Sequence, residues 1–183
     1  MLLAFSLLAL PAGVFLFMKT RRFGKPSSGA RLQRIKQSPN YAGNQFVNLS
    51  HTPNFAEGVT MPMVLKSFFF ENSPNGKPKQ PLPSHKTDLS FFSDYAFVWF
   101  GHSSYLLRTG GKNILVDPVF SGNASPLSFT TKAFPGSNVY GVADMPEIDY
   151  LIITHDHWDH LDYRTVMALD KKVKHIITGL GTG

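Results

Sequence analysis

The chain contains no cysteine. That excludes a disulfide framework and any thiolate-bound metal, so a metal held here must take nitrogen and oxygen donors. Acidic residues are also scarce, 12 against 18 Lys and Arg in 183 residues, and the imbalance is local. Residues 1–90 carry eleven basic and three acidic side chains, whereas residues 91–183 carry seven and nine. A basic half invites nucleic acid as a partner, but zinc-finger, RNP and glycine-rich phosphate signatures are all missing, so no nucleic-acid partner is expected. Internal repeats and low-complexity blocks are missing as well.

One long apolar run is present. Met1 to Met18 holds no charged side chain and is followed by Lys19, Arg21, Arg22 and Lys25. As a helix it would span about 27 Å at ~1.5 Å per residue, which predicts an uncleaved transmembrane anchor over residues 1–18. Pro11 and Gly13 are tolerated in such helices. A cleaved signal peptide is the competing reading; against it, no basic residue precedes the run and Leu10-Pro11-Ala12 is a poor cleavage site. The basic flank then predicts a membrane-anchored protein with its catalytic part on the cytoplasmic side, facing an anionic membrane surface. Removal of residues 1–18 would instead make it secreted or periplasmic.

Residues 19–90 read as a basic, proline-rich lead-in packing on the following domain. Asn72 to Pro83 holds too much proline for a regular helix or a central strand. Met61 to Phe70 reads as a short helix packed on the main domain, with contact to a membrane surface as the sharper alternative. From residue 91 the texture changes. Tyr95–Phe100, Ser104–Arg108, Asn113–Val116, Tyr150–Thr154 and Lys174–Ile177 have strand composition. Thr109-Gly110-Gly111-Lys112 suits a hairpin turn. Asp162 is placed to cap a helix running to about Asp170, with Val166, Met167 and Leu169 towards its buried side.

The densest chemistry is His155-Asp156-His157-Trp158-Asp159-His160, three imidazoles and two carboxylates within six residues. It follows the apolar run Tyr150–Thr154, so it forms the loop at the carboxyl end of a buried strand, the usual place for a site in an α/β sheet. His155 and His157, two apart in extended backbone, project to one side and can chelate one ion. Asp159 and His160 come a turn later and can reach a second. A polar turn whose histidines merely precede a helix is the bland alternative; three histidines and an aspartate at this spacing argue against it.

The His-x-His-x-Asp-His pattern resembles the metallo-β-lactamase-fold hydrolases. Its flanks, Trp99-Phe100-Gly101-His102-Ser103-Ser104, Ile114 to Phe120, Ala124-Ser125-Pro126, Met145 to Asp149 and His160-Leu161-Asp162-Tyr163, are similar to the branch containing N-acyl-phosphatidylethanolamine phospholipase D and its bacterial relatives. The resemblance implies an αββα sandwich of α+β class and two zinc ions, iron and manganese being the alternatives. It implies that His155 and His157 hold the first ion, that Asp159 and His160 hold the second, and that Asp159 also orients the attacking water. Asp117 is expected to accept a hydrogen bond from a liganding imidazole and fix its tautomer. His102 and Trp158 are candidates for the pocket wall; a lone histidine after a strand is more often structural, and His51, His85 and His175 are read so.

Relatives supply a further His, a bridging Asp and a final His after this point, from a second half of the sandwich. The expectation is therefore an amino-terminal half domain over residues 91–183, poorly active alone, completed by a missing carboxyl-terminal half or by a homo-oligomer. The implied substrate is a phospholipid phosphodiester. Hydrolysis of another ester, phosphonate or lactone is the second enzyme reading, and a membrane-anchored fragment with a vestigial metal site is the non-catalytic one.

Overall fold

The computed structural model describes residues 2–71, 76–91 and 93–182. Part of the proline-rich stretch (72–75), Met1, Phe92 and Gly183 lie outside the described residues. Helix α1 (Leu2–Met18) opens the chain. It leads into α2 (Gly29–Lys36), a small hairpin of β1 (Tyr41–Ala42) and β2 (Gln45–Phe46), and α3 (Met61–Phe70). The main unit is one five-stranded sheet in sequence order: β3 (Ala96–Gly101), β4 (Ser104–Thr109), β5 (Lys112–Val116), β6 (Ile148–Ile153) and β7 (Val173–Thr178). Helix α4 (Tyr163–Leu169) joins β6 to β7.

The expected transmembrane anchor and the membrane-anchored location derived from it are corrected here. No helix among the described residues is long and apolar enough to cross a membrane. Helix α1 spans 17 residues with Pro11 inside it, about 25 Å at ~1.5 Å per residue, against a hydrocarbon core of roughly 30 Å.

Strand β4 runs antiparallel to both β3 and β5, and β5, β6 and β7 are parallel. Gly110 and Gly111, both at positive φ, close the β4–β5 hairpin, a conformation that glycine takes without steric cost. This topology brings the carboxyl ends of β3, β5 and β6 to a single sheet edge. The register aligns Val98, Leu106, Leu115 and Leu151 across four strands, and side chains two apart share a face. That face carries the core: Phe100, Leu106, Leu115, Leu151 and Ile153 cluster with Leu169, Tyr140, Met145 and Leu89. On the opposite face Phe97 and Trp99 are 59% and 64% exposed and Ile177 is 49% exposed.

The lead-in touches the sheet unit at defined points. Leu89 is buried in the core. The Leu82 amide donates to the Pro135 carbonyl at 2.8 Å and the Thr87 amide to the Tyr140 hydroxyl at 2.8 Å. Gly136 stands at φ +84, where an added Cβ would collide with the Leu82 backbone, so only glycine allows this approach. Lys86 pairs with Asp144 at 2.7 Å. Helix α3 behaves otherwise. None of its residues is buried, and Phe68 and Phe70 are 79% and 81% exposed. The expected packing of this helix on the main domain is not observed. In α4 the buried residues are Thr165 and Leu169, while Met167, assigned from sequence to the inner side, is exposed.

Candidate metal centre

The site grows from the ends of β3, β5 and β6. Asp117 follows β5 directly, and its amide donates to the Ile152 carbonyl at 2.9 Å, so the β5–β6 ladder extends into the site. Its carboxylate is 1% exposed and fully engaged. Oδ1 accepts from the Thr154 amide at 2.8 Å, and Oδ2 accepts from the Thr154 hydroxyl at 2.6 Å and lies 2.8 Å from His160 Nδ1. The Ser104 hydroxyl donates to the Asp117 carbonyl at 2.6 Å and accepts from the Val119 amide at 3.1 Å, fixing the backbone around it. Asp117 takes φ +42, a sparsely populated conformation that costs of order 1–3 kcal/mol and persists only when its surroundings hold it.

With Nδ1 turned to Asp117, His160 presents Nε2 to the opening. The loop before it folds back on itself, the His160 amide donating to the His157 carbonyl at 3.0 Å and the Leu161 amide to the same oxygen at 2.7 Å. This turn gathers the imidazoles. The His155 ring centroid lies 3.8 Å from that of His160 and 4.6 Å from that of His157. His155 Nδ1 lies 3.0 Å from the Thr154 hydroxyl.

His102, in the β3–β4 turn at φ +46, joins from across the sheet edge. Its Nε2 lies 2.9 Å from Asp159 Oδ2, and its ring meets the edge of His160 at 5.4 Å. The Trp99 indole N–H donates to the His102 carbonyl at 2.8 Å and holds the turn. Donor atoms of His102, Asp159 and His160 all lie within 4.8 Å of one another. Two donors on one tetrahedral zinc at 2.0–2.2 Å stand about 3.4 Å apart. The observed 2.9 Å for His102–Asp159 and 3.7 Å for His160 Nε2–Asp159 bracket that value. A nitrogen and oxygen donor set at this spacing fits a zinc, iron or manganese ion.

Burial pushes the Asp159 carboxyl up, but its own backbone N–H and the His102 hydrogen bond outweigh it, with the charges of His160 and His102 adding to them. The net position is below the ordinary carboxylate value. Asp159 therefore stands as an anion facing the imidazoles.

The remaining candidates fall elsewhere. Trp158 turns away and packs edge-on against Phe23 at 5.4 Å. Asp162 caps α4, accepting from the Arg164 amide, and also accepts from the Ser121 amide at 2.9 Å and the Thr165 hydroxyl at 2.6 Å. His175 stacks on Tyr150 in the sheet. Thr154 and Ser104 were not singled out from sequence. Thr154 had a weak signal, a hydroxyl between the last strand residue and the first histidine; Ser104 had none, because its role depends on a residue thirteen positions away.

Comparison with known proteins fits this geometry. Residues 96–181 match the model described as "Beta-lactamase superfamily domain". An uncharacterized protein of Mycobacterium tuberculosis is 33% identical over 175 residues, covering 91% of this chain and 46% of the relative. The N-acyl-phosphatidylethanolamine-hydrolyzing phospholipase D 1 of Caenorhabditis elegans is 28% identical over 154 residues, 81% of this chain and 41% of the relative. A UPF0173 metal-dependent hydrolase of Nitratidesulfovibrio vulgaris is 38% identical over 64 residues, 35% of this chain and 22% of the relative. The chain thus spans about half the length of the first two relatives, and the resemblance read from the histidine motif is borne out.

Proposed function

We infer that this chain, a member of the β-lactamase superfamily of metal-dependent hydrolases through its domain at residues 96–181, carries the metal-binding loop of a zinc-dependent phosphodiesterase acting on a phospholipid. The observation that carries the reading is the gathering of His102, His155, His157, Asp159 and His160 at one sheet edge, with Asp117 behind them. The substrate class is supported by the name of the nematode relative.

In this reading His155 and His157 hold one ion, and Asp159 and His160 hold another with His102 in reach. A bound divalent ion supplies Lewis acidity and lowers the pKa of water to near neutrality. The protein supplies the rest. Asp117 keeps the His160 proton on Nδ1, so that Nε2 offers its lone pair. Thr154 ties Asp117 to the strand end and keeps that orientation. Anionic Asp159 would accept a hydrogen bond from the attacking water and so orient the water's oxygen towards the substrate's phosphorus.

The test has two arms. Zinc, iron(II) and manganese are titrated into purified protein by calorimetry, and release of N-acylethanolamine from N-acyl-phosphatidylethanolamine is followed by mass spectrometry. The expectation is zinc binding that H155A and D159A weaken, with low metal-dependent turnover that the same variants abolish. Release from a simple carboxylic ester or lactone, with none from the phospholipid, would reassign the substrate. Zinc binding that H155A and D159A leave unchanged would overturn the metal-centre reading.

A further inference from the structure

Beside the metal-binding loop lies a second feature that the hydrolytic reading does not use. A cleft of about 120 Å³ opens between the lead-in, the 121–128 loop and the start of α4, and Trp158 forms part of its wall. Since a water's share of liquid volume is about 30 Å³ and drug-sized ligands fill roughly 300–1,000 Å³, the cleft suits a small polar group. Two arginines, Arg22 and Arg164, are among its lining residues. Among the described residues neither takes part in an ion pair. Arg22 is held in place: one Nη1 donates to the Pro126 carbonyl at 3.0 Å, and its guanidinium sits 5.4 Å over the Phe17 ring. A guanidinium has five N–H donors, so most of its capacity stays open.

The one carboxylate in the lining is Asp162. It is buried and directed inward, committed to the Ser121 and Arg164 amides and the Thr165 hydroxyl. It bonds neither guanidinium, and the lining keeps a net positive charge. Two arginines on one small cleft offer the planar donor forks that suit the oxygens of a phosphate, for which arginine is favoured over lysine. Trp158 lies between His157 and Asp159 in sequence and its side chain turns away from them, so the outer side of the metal-binding loop supplies part of the cleft wall. We propose that the Arg22–Arg164 cleft is an oxyanion subsite that binds a phosphate group on the outer side of the metal-binding loop. Its assignment to a substrate rests on the hydrolase reading; the binding itself does not.

The full chain, kept in EDTA so that phosphate cannot bind through a metal, is titrated with inorganic phosphate at constant ionic strength. The two indole N–H signals are followed by ¹⁵N NMR. Trp158 is expected to shift saturably and Trp99 to stay still. R22A and R164A should each weaken binding at least about tenfold, the loss of one charge-assisted hydrogen-bonding group, with amide signals from the sheet unchanged. Linear or shared movement of both indoles, or wild-type binding by the double variant, would overturn the subsite. Tighter binding of glycerol 3-phosphate than of inorganic phosphate identifies an esterified phosphate as the ligand, and the reverse identifies a free anion; both support the subsite. Because no metal is present, a negative result leaves the metal reading standing, and failed zinc binding leaves this one standing.

Discussion

Asp117 and Thr154 show how a backbone-level arrangement sets the chemistry of a side chain. Both follow parallel strands, and their mutual hydrogen bonds of 2.8 and 2.6 Å lock the carboxylate against His160 Nδ1. In D117N the amide nitrogen would face Nδ1 as a donor and drive the imidazole proton onto Nε2, the donor atom turned to the opening. Zinc affinity is expected to fall about 10- to 100-fold, the usual cost of losing such a partner, measured by competition with a chromophoric chelator. An unchanged affinity would mean that Asp117 serves only the backbone. H102A separates another role: if His102 completes the Asp159–His160 donor set, its removal should lower zinc affinity while the His155–His157 pair keeps its own.

At the scale of elements, the sheet is pinned away from the site by Asp149. Its Oδ2 accepts from the Asn113 amide of β5 at 3.0 Å, and its Oδ1 lies 3.0 Å from Lys174 of β7 and 3.5 Å from Lys112 of β5. The Asn113 amide first, then the Lys174 ammonium, pull the Asp149 carboxyl down to about 2, from the ordinary 3.8. A carboxyl depressed in the folded state stabilises the fold above its unfolded value and loses that contribution as pH falls towards 2. D149N should therefore unfold at lower denaturant concentration than wild type at pH 7, and the gap should close between pH 4 and pH 2. A gap independent of pH would sink the assignment. The short elements were legible because their signals are local. The strands carry β-branched and aromatic residues, the glycine pair marks the hairpin, and Asp162 marks the helix start. Helix α3 was legible as a helix, but its packing was not, since an apolar surface says nothing about which partner covers it.

The whole molecule presents two unequal sheet faces. One is closed by α4, Tyr140, Met145 and Leu89. The other leaves Phe97, Trp99 and Ile177 largely in solvent. Exposed large apolar side chains at both edges of one sheet face favour association. Sedimentation at rising protein concentration is expected to show self-association that F97K/I177K reduces, with far-ultraviolet circular dichroism unchanged. Concentration-independent sedimentation of the wild type would show that this face is tolerated in water as it stands.

By itself the sequence determined the donor chemistry, the strand-then-ligand order and the family, because each depends on residues adjacent along the chain. His155 to His160 needed no fold to be recognised as a metal motif. It did not determine that His102 meets Asp159 across 57 positions, or that Ser104 and Thr154 brace Asp117. Nor did it show that Arg22 reaches the cleft beside Trp158. Those contacts exist because β3, β5 and β6 end at one edge of a single sheet. Strand order is decided by long-range pairing, which leaves no local mark in the sequence.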